Sequence, residues 1–471
     1  MNRGKTLTAL LAFLLVLSAG ACTDGGSDGT GATGASQPPD TPGEIVVASG
    51  RDVTGKGGIR QQLIEEWNRE QQDKNTPFRA RLVELPGSAD QQRSQLLGAL
   101  QSGSAEYDVV NLDVTWVPEF AEAALIRPLP DVLVDGDVIG SVAATARWDG
   151  KVYAVPFNSD VGLLYYRRDY LKQASVTNPE LSKDTPTPWR EVHKLIDTLD
   201  GARQKLPAAY QKGWTTQLAP YEGLTVNGIE AFASATETLA LTDAEGRYTG
   251  KAKDLESGLA ELRSRTQAPY TLGSAATSDE ADSLADFANG RTAFLRHWPY
   301  AYRTLHQSLS ADQLGVAPLP GRAVLGGQNL AVTKTSKRGA AAEQLIKYLT
   351  GRESERCLLD AGFAATRTSA YDTDGVTCSL KKPRGVPASP PPSAESTDRM
   401  PRDSAHRPAY ARDTLLTALK SAVQRPRTPL YGAFTQTFTT ELTKLSTPTP
   451  PSTTDLAATL HKNLTRALPH P

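Results

Sequence analysis

The chain has 471 residues, 39% hydrophobic and 22% charged, with 51 basic against 52 acidic side chains and a formal charge of −1. This composition excludes a mostly disordered chain, and it supplies no dense basic face for nucleic acid or an anionic membrane. Three cysteines are too few for a disulfide scaffold, and no interior run reaches the roughly 18 apolar residues that a spanning helix needs.

Residues 1–22 (MNRGKTLTALLAFLLVLSAGAC) begin with Arg3 and Lys5, run apolar from Leu7 to Leu17 and end in small residues before Cys22. That is the pattern of an export signal. The small residues resemble a bacterial lipobox, which is cut before a lipid-bearing cysteine, although Ala19 stands where that motif usually has Leu. The alternative is a plain secretory signal with an incidental cysteine. Residues 23–42 are rich in Gly, Ser, Thr and Pro and predict a flexible tether. They contain a literal G-x-S-x-G at Gly25–Gly29, without the strand and helix that a nucleophile elbow requires.

The body alternates strand and helix patterns. Glu44–Ser49 predicts a buried strand. A helix follows with Ile59, Leu63 and Trp67 on one face. Phe78–Leu85 alternates like a half-buried strand, Asp90–Leu100 is an amphipathic helix, Tyr107–Leu112 a third strand and Trp116–Ala124 a third helix. This order predicts an α/β fold built on mostly parallel sheet flanked by helices, with ligands beyond the carboxyl ends of the strands. Gly50–Gly57 falls one residue short of a P-loop, with Gly57 where the magnesium-binding hydroxyl belongs. It reads instead as a glycine turn that presents Asp52.

Several stretches, in order, carry a resemblance: Tyr107–Leu129, Lys151–Leu171, Phe287–Tyr300 (FANGRTAFLRHWPY), Gly326–Lys334 (GGQNLAVTK), Ala361–Tyr371 and Arg425–Tyr431 (RPRTPLY). The chain resembles the extracellular solute-binding proteins of carbohydrate ABC importers. Within that family, Tyr221–Leu224, LDVTW and GGQNLAV look most like the actinobacterial trehalose-binding lipoproteins. The resemblance implies a two-lobed periplasmic-binding-protein-like fold with the ligand cleft at the hinge. It places 43–158 and 296–350 in lobe one, and 159–295 and 351–471 in lobe two. Crossings are expected near Phe157–Asp160, Arg296–Pro299 and Leu349–Gly351.

A sugar presents hydroxyls at its edge and apolar faces, so a site needs carboxylates and aromatic rings. The resemblance assigns Asp113 to the sugar; as the end of a strand before a helix it has an N-cap as its alternative. Trp116, one turn on, lines either the cleft or the core. Asp160 lies in an apolar stretch at the first crossing, where an acid needs a partner. Glu222 faces either ligand or solvent. Trp298 and Tyr300 flank Pro299 and suit stacking, whereas Tyr302 suits the core. Gly327 and Gln328 allow close backbone approach or form a plain turn. Arg367 resembles an arginine that reaches into the cleft, with a surface arginine as the alternative. Asp52 and Asp90 complete the candidates.

No histidine pair has metal-ligand spacing, so neither metal nor cofactor is expected. Cys357 and Cys378 suit a disulfide in an oxidising compartment, two buried thiols being the alternative. Residues 379–409, rich in Pro and charge, predict an extended or disordered excursion, and the tail one helix begun near Thr453 or Thr454. The leading expectation is a monomeric lipoprotein on the outer face of the cytoplasmic membrane. It captures a sugar, a disaccharide such as trehalose or maltose, for the permease subunits of an importer, and it is not an enzyme. A secreted glycoside hydrolase using two of Asp113, Asp160 and Glu222 is the rival, and a peptide or metal receptor on the same scaffold the third reading.

Overall fold

The computed structural model describes residues 39–51, 58–103, 107–380 and 398–471. The expected export signal, Cys22, Asp52 and most of the Pro-rich excursion lie outside those residues. The chain divides into two units, Met1–Pro39 and Asp40–Pro471, and the elements below all belong to the second.

The strands in chain order are β1 (Gly43–Gly50), β2 (Phe78–Leu85), β3 (Val109–Asp113), β4 (Arg147–Trp148), β5 (Lys151–Val152), β6 (Val155–Val161), β7 (Leu163–Arg167), β8 (Lys212–Thr215), β9 (Thr292–His297), β10 (Leu314–Pro318) and β11 (Leu325–Val332). They form two main sheets, β2-β1-β3-β11-β6 and β10-β7-β9-β8, beside the β4-β5 pair. The first three strands pair in parallel because a helix intervenes each time, Ile59–Asp73 and Ala89–Gln101. The apolar runs of β1 and β3 are mostly buried, whereas β2, at the sheet edge, alternates and stays half-exposed.

Both sheets are mixed, not mostly parallel. β11 runs antiparallel to β3 and β6, and β7 antiparallel to β9 and β10. The reason lies in the connections. β6 and β7 are joined through Gly162 alone, so the chain passes from one sheet to the other without a crossover helix. The return is not near Arg296–Pro299: β10 still pairs with β7, and the chain reaches the first sheet only between Pro318 and Leu325. Nor does it leave at Leu349–Gly351. The helix Arg352–Asp360 buries Cys357 and Leu358 in the same apolar cluster as Ile45 and Val155 of the first lobe. Ala364 and Ala365, a few residues on, join the cluster of Val161 and Leu163 instead.

Cys357 and Cys378 form a disulfide across 21 residues. Within the expected excursion, the described residues 398–409 are folded. Met400 is buried, and Arg407 is 2% exposed, donating to Tyr371 O and Asp403. The last helix is Thr453–Ala467, capped by Ser452, whose hydroxyl accepts from Asp455 N.

Candidate functional site

A cleft of about 920 Å³ opens between the two sheets. Its wall takes Gly50 from the end of β1, Asp113 from the end of β3, Asp160 from β6 and Gly326–Gln328 from β11. Three helices aim their first turns at it: Ala89–Gln101, Glu222–Ala235 and Glu280–Ala288. Their N-terminal N–H groups favour carboxylates there, which explains why Asp90, Glu222 and the Asp279–Asp282 stretch stand where they do.

Arg425 organises one side. Its Nη1 donates to Glu222 Oε1 at 2.6 Å, and its Nη2 to both oxygens of Asp113, at 2.9 and 3.2 Å. The Arg425 side chain is 2% exposed, and these neighbours hold its pKa well above the ordinary value despite burial. Asp113 Oδ1 also accepts from the backbone N and hydroxyl of Thr115. Asp113 is therefore no helix cap; the helix Val117–Glu122 starts later, after Trp116. Glu222 is 7% exposed, not solvated as one reading held. Besides Arg425 it accepts from Tyr431 and Thr435, yet burial, opposed by Arg425, pushes it up to about 7.

Asp160 faces the cleft differently. Its Oδ1 is buried with no hydrogen-bond partner among the described residues. Burial raises its carboxyl to about 7 against the pull of Arg60, Arg296 and Arg425, with Asp113 adding to the rise. It sits opposite Gly326 in the β6–β11 pairing. A Cβ there would stand 3.1 Å from both Asp160 Cβ and the Trp298 ring, tighter than an ordinary contact, so any larger residue would press on both.

Trp298 is a partly exposed ring with one face covered by the Arg296 guanidinium, 3.9 Å from its centroid. Arg296 is itself held by Glu230 at 2.6 Å. Trp298 Nε1 donates to Glu280 Oε1 at 3.4 Å, and Tyr221 OH to Glu280 Oε2 at 2.6 Å. Behind them His297 is buried and pushed down to about 4, so it stays neutral and donates from Nε2 to Glu280 O at 3.0 Å. Tyr300 lines the same wall.

Gln328 is oriented by its partners. Its Oε1 accepts from Arg60 Nη2 at 2.8 Å and Asn111 Nδ2 at 3.0 Å. Arginine only donates, so the amide oxygen must face it and the Gln328 NH2 is left for the cleft. Gly327 has φ +113°, and a Cβ there would stand 2.4 Å from Asn158 O, where β11 shifts register.

The structure thus gathers Asp113, Asp160, Glu222, Trp298, Tyr300, Gly327 and Gln328 around one groove. Asp90 stands at its edge, accepting from Glu222 N at 3.3 Å. Two candidates do not belong. Trp116 is 4% exposed and packs in the apolar cluster of Val110 and Phe120, because the chain turns between Asp113 and Trp116. Arg367 donates to Thr350 O, Asp135 and Asp137, which hold it away from the cleft. The arginine of the site is Arg425, within the RPRTPLY stretch, and the sequence reading also missed Glu280 and Tyr221. Glu280 had a signal: Ser278–Asp282 (SDEAD) reads as a helix start. Among the described residues no group of three or more His, Cys, Asp and Glu side chains is placed to hold a metal ion.

Comparison with known proteins gives a consistent picture. The pattern of the bacterial extracellular solute-binding protein family matches residues 52–356. A probable ABC transporter-binding protein of Deinococcus radiodurans is 28% identical over 319 residues, 63% of this chain and 71% of that protein. A multiple sugar-binding protein of Streptococcus mutans is 23% identical over 249 residues, 51% of this chain and 54% of its own length. Among solved structures, the maltose-bound MalE3 of T. maritima superposes with a TM-score of 0.71 at 23% identity, covering 90% of this chain and all of that one. Its likeness establishes the two-lobed fold.

Proposed function

We propose that this chain, which belongs to the bacterial extracellular solute-binding proteins, captures a sugar between its lobes and delivers it to the permease of an ABC importer. The size of the cleft suits a disaccharide such as trehalose or maltose. One observation carries the reading: the Trp298 ring and Asp160 flank Gly326, and the buried Asp160 Oδ1 has no hydrogen-bond partner among the described residues. A stacked sugar supplies both what the ring packs against and the hydroxyl that oxygen lacks. The protein acts as a monomer, exported and held to the outer face of the cytoplasmic membrane through lipid on Cys22.

A hydrolase in the same cleft needs two carboxyls free to exchange protons with substrate and water. Asp113 and Glu222 are each tied to Arg425 and to hydroxyl donors, and Glu280 to Tyr221 and Trp298. Among these described carboxyls, Asp160 has the buried oxygen that accepts from nothing in the fold, which suits holding a ligand and not cleaving it. Thermal melts over a panel of mono- and disaccharides, followed by calorimetry on those that raise the melting point, test the proposal. The expected result is a disaccharide that stabilises the fold and is recovered intact after hours. A panel without any shift overturns the sugar reading, and released monosaccharide overturns the binding-only one.

A further inference from the structure

We propose that Glu280 and Asp160 make the cleft selective by charge: it accepts sugars that are neutral or carry an amine and rejects those carrying a carboxylate or phosphate. This rests on the sugar reading above and narrows it to a class.

The wall carries Asp113, Asp160, Glu222, Asp279, Glu280 and Asp282 against two arginines, Arg51 and Arg425. Recognition of a carboxylate or phosphate calls for a guanidinium with donors to offer. Arg425 has both amino groups on Asp113 and Glu222, which leaves only its buried Nε without a partner among the described residues. Arg296, behind the Trp298 ring, is engaged by Glu230 through Nε and Nη2. Arg60, under the floor, donates to Ser49, Gly50 O, Asn158 and Gln328. Arg51 is exposed at the rim, where solvent screens it.

The acids are not cancelled in the same way. Asp279 and Asp282 are exposed and close a capping box with each other's backbone N–H. Asp160 and Glu280 remain, and they flank the stacking ring. Glu280 accepts from the Trp298 Nε1 edge, and Asp160 lies across Gly326 from the six-membered edge. A sugar stacked on Trp298 therefore meets a carboxylate at either end. Hydroxyl and ammonium groups donate to both. A carboxylate or phosphate brings like charge into a partly buried site where, among the described residues, the buried arginines are already engaged and Arg51 is exposed at the rim.

The test is calorimetry at pH 7.5 with trehalose and maltose, their 2-amino-2-deoxy analogues, the uronic acids in which one hydroxymethyl is oxidised, and the 6-phosphates. The uronic acid is close in size to its parent, so charge and not bulk is compared. The expected order for the disaccharide that binds is an amine within threefold of the parent or tighter, and both anions at least 100-fold weaker. Glu280→Gln, which keeps an acceptor for Tyr221 OH, narrows the gap to the uronic acid at least tenfold; Asp160→Asn does the same. A uronic acid within threefold of its neutral parent, or a gap unmoved by both variants in folded protein, overturns the proposal alone. Failure of the neutral sugars together with all their analogues strikes the sugar reading and this proposal with it.

Discussion

Replacing Asp160 by Asn separates the two things its carboxyl does. Burial lifts it from 3.8 to about 7 and outweighs every neighbouring charge, while no described residue donates to Oδ1. A carboxyl that holds its proton more tightly folded than unfolded costs nothing below pH 4. The cost grows as pH climbs from about 4 to about 7 and is complete above that. At ~1.36 kcal/mol per pH unit, the full cost is about 4 kcal/mol at pH 8. Asparagine has the same shape and no charge to desolvate. With an unfolding entropy of ~2.1 cal/mol/K per residue, a chain of this size gains about 1 °C per kcal/mol. Asp160→Asn is therefore expected to raise the melting temperature by about 4 °C at pH 8 and to leave it unchanged at pH 4. Sugar affinity falls by roughly tenfold, the difference between a charge-assisted and a neutral hydrogen bond. Circular-dichroism melts from pH 4 to 8.5 and calorimetry read both. A gain that is the same at every pH, or a variant that melts lower at pH 8, refutes the reasoning.

Trp298→Ala is expected to weaken sugar binding at least tenfold, about 1.4 kcal/mol, with the melting curve of the sugar-free protein little changed; calorimetry checks it. Asp113→Ala is expected to weaken binding by a similar factor, because Arg425 then answers to Glu222 alone and swings from its place; unchanged affinity removes Asp113 from the site. Changing both Cys357 and Cys378 to Ser opens a loop of 21 residues and is expected to cost about 3 kcal/mol, measured by urea unfolding. Cys22→Ala is expected to move the protein from the membrane pellet to the soluble fraction; continued sedimentation with membranes rejects the lipid anchor.

The first three strands and their helices were legible because period-2 and period-3.6 patterns are local, and each element buries its own face. β1, β2 and the helix after β2 begin and end within a residue or two of the sequence reading. Where the chain crosses between lobes was not legible. β10 is a five-residue apolar strand, LGVAP, that gives no sign of which sheet it will join, and its pairing with β7 moves the whole stretch 296–318 to the second lobe. The site shows the same division. Asp160, Trp298 and Gln328 stood out because an acid in an apolar run, a ring beside proline and a double glycine are odd in themselves. Arg367 and Arg425 look alike as text, each an arginine near a threonine in an irregular stretch. What separates them is which carboxylates lie within reach after folding: Asp135 and Asp137 for one, Asp113 and Glu222 for the other. That depends on contacts more than 200 residues apart in sequence, which no local pattern encodes.

The place of Arg425 gives those contacts a mechanical meaning. The segment before it is stitched to the connection between β10 and β11, Val423 N donating to Ala323 O at 2.9 Å and Leu325 N to Val423 O at 2.8 Å. Arg425 thus stands beside the stretch where the chain returns from the second sheet to the first. One amino group holds Asp113, at the end of a first-lobe strand, and the other holds Glu222, at the head of a helix whose Glu230 pairs with Arg296 of β9 in the second sheet. A planar guanidinium cannot follow two carboxylates that move apart, so opening the lobes breaks one pair and leaves a charge to be taken up by entering water. The backbone N of Glu222 on Asp90, at 3.3 Å, ties the same seam. In this arrangement the protein's own charges tie the lobes together while Asp160, Trp298 and Gln328 face one groove. A ligand that fits this arrangement need not supply the free energy of assembling its site, and its binding energy is left for discrimination between one sugar and another.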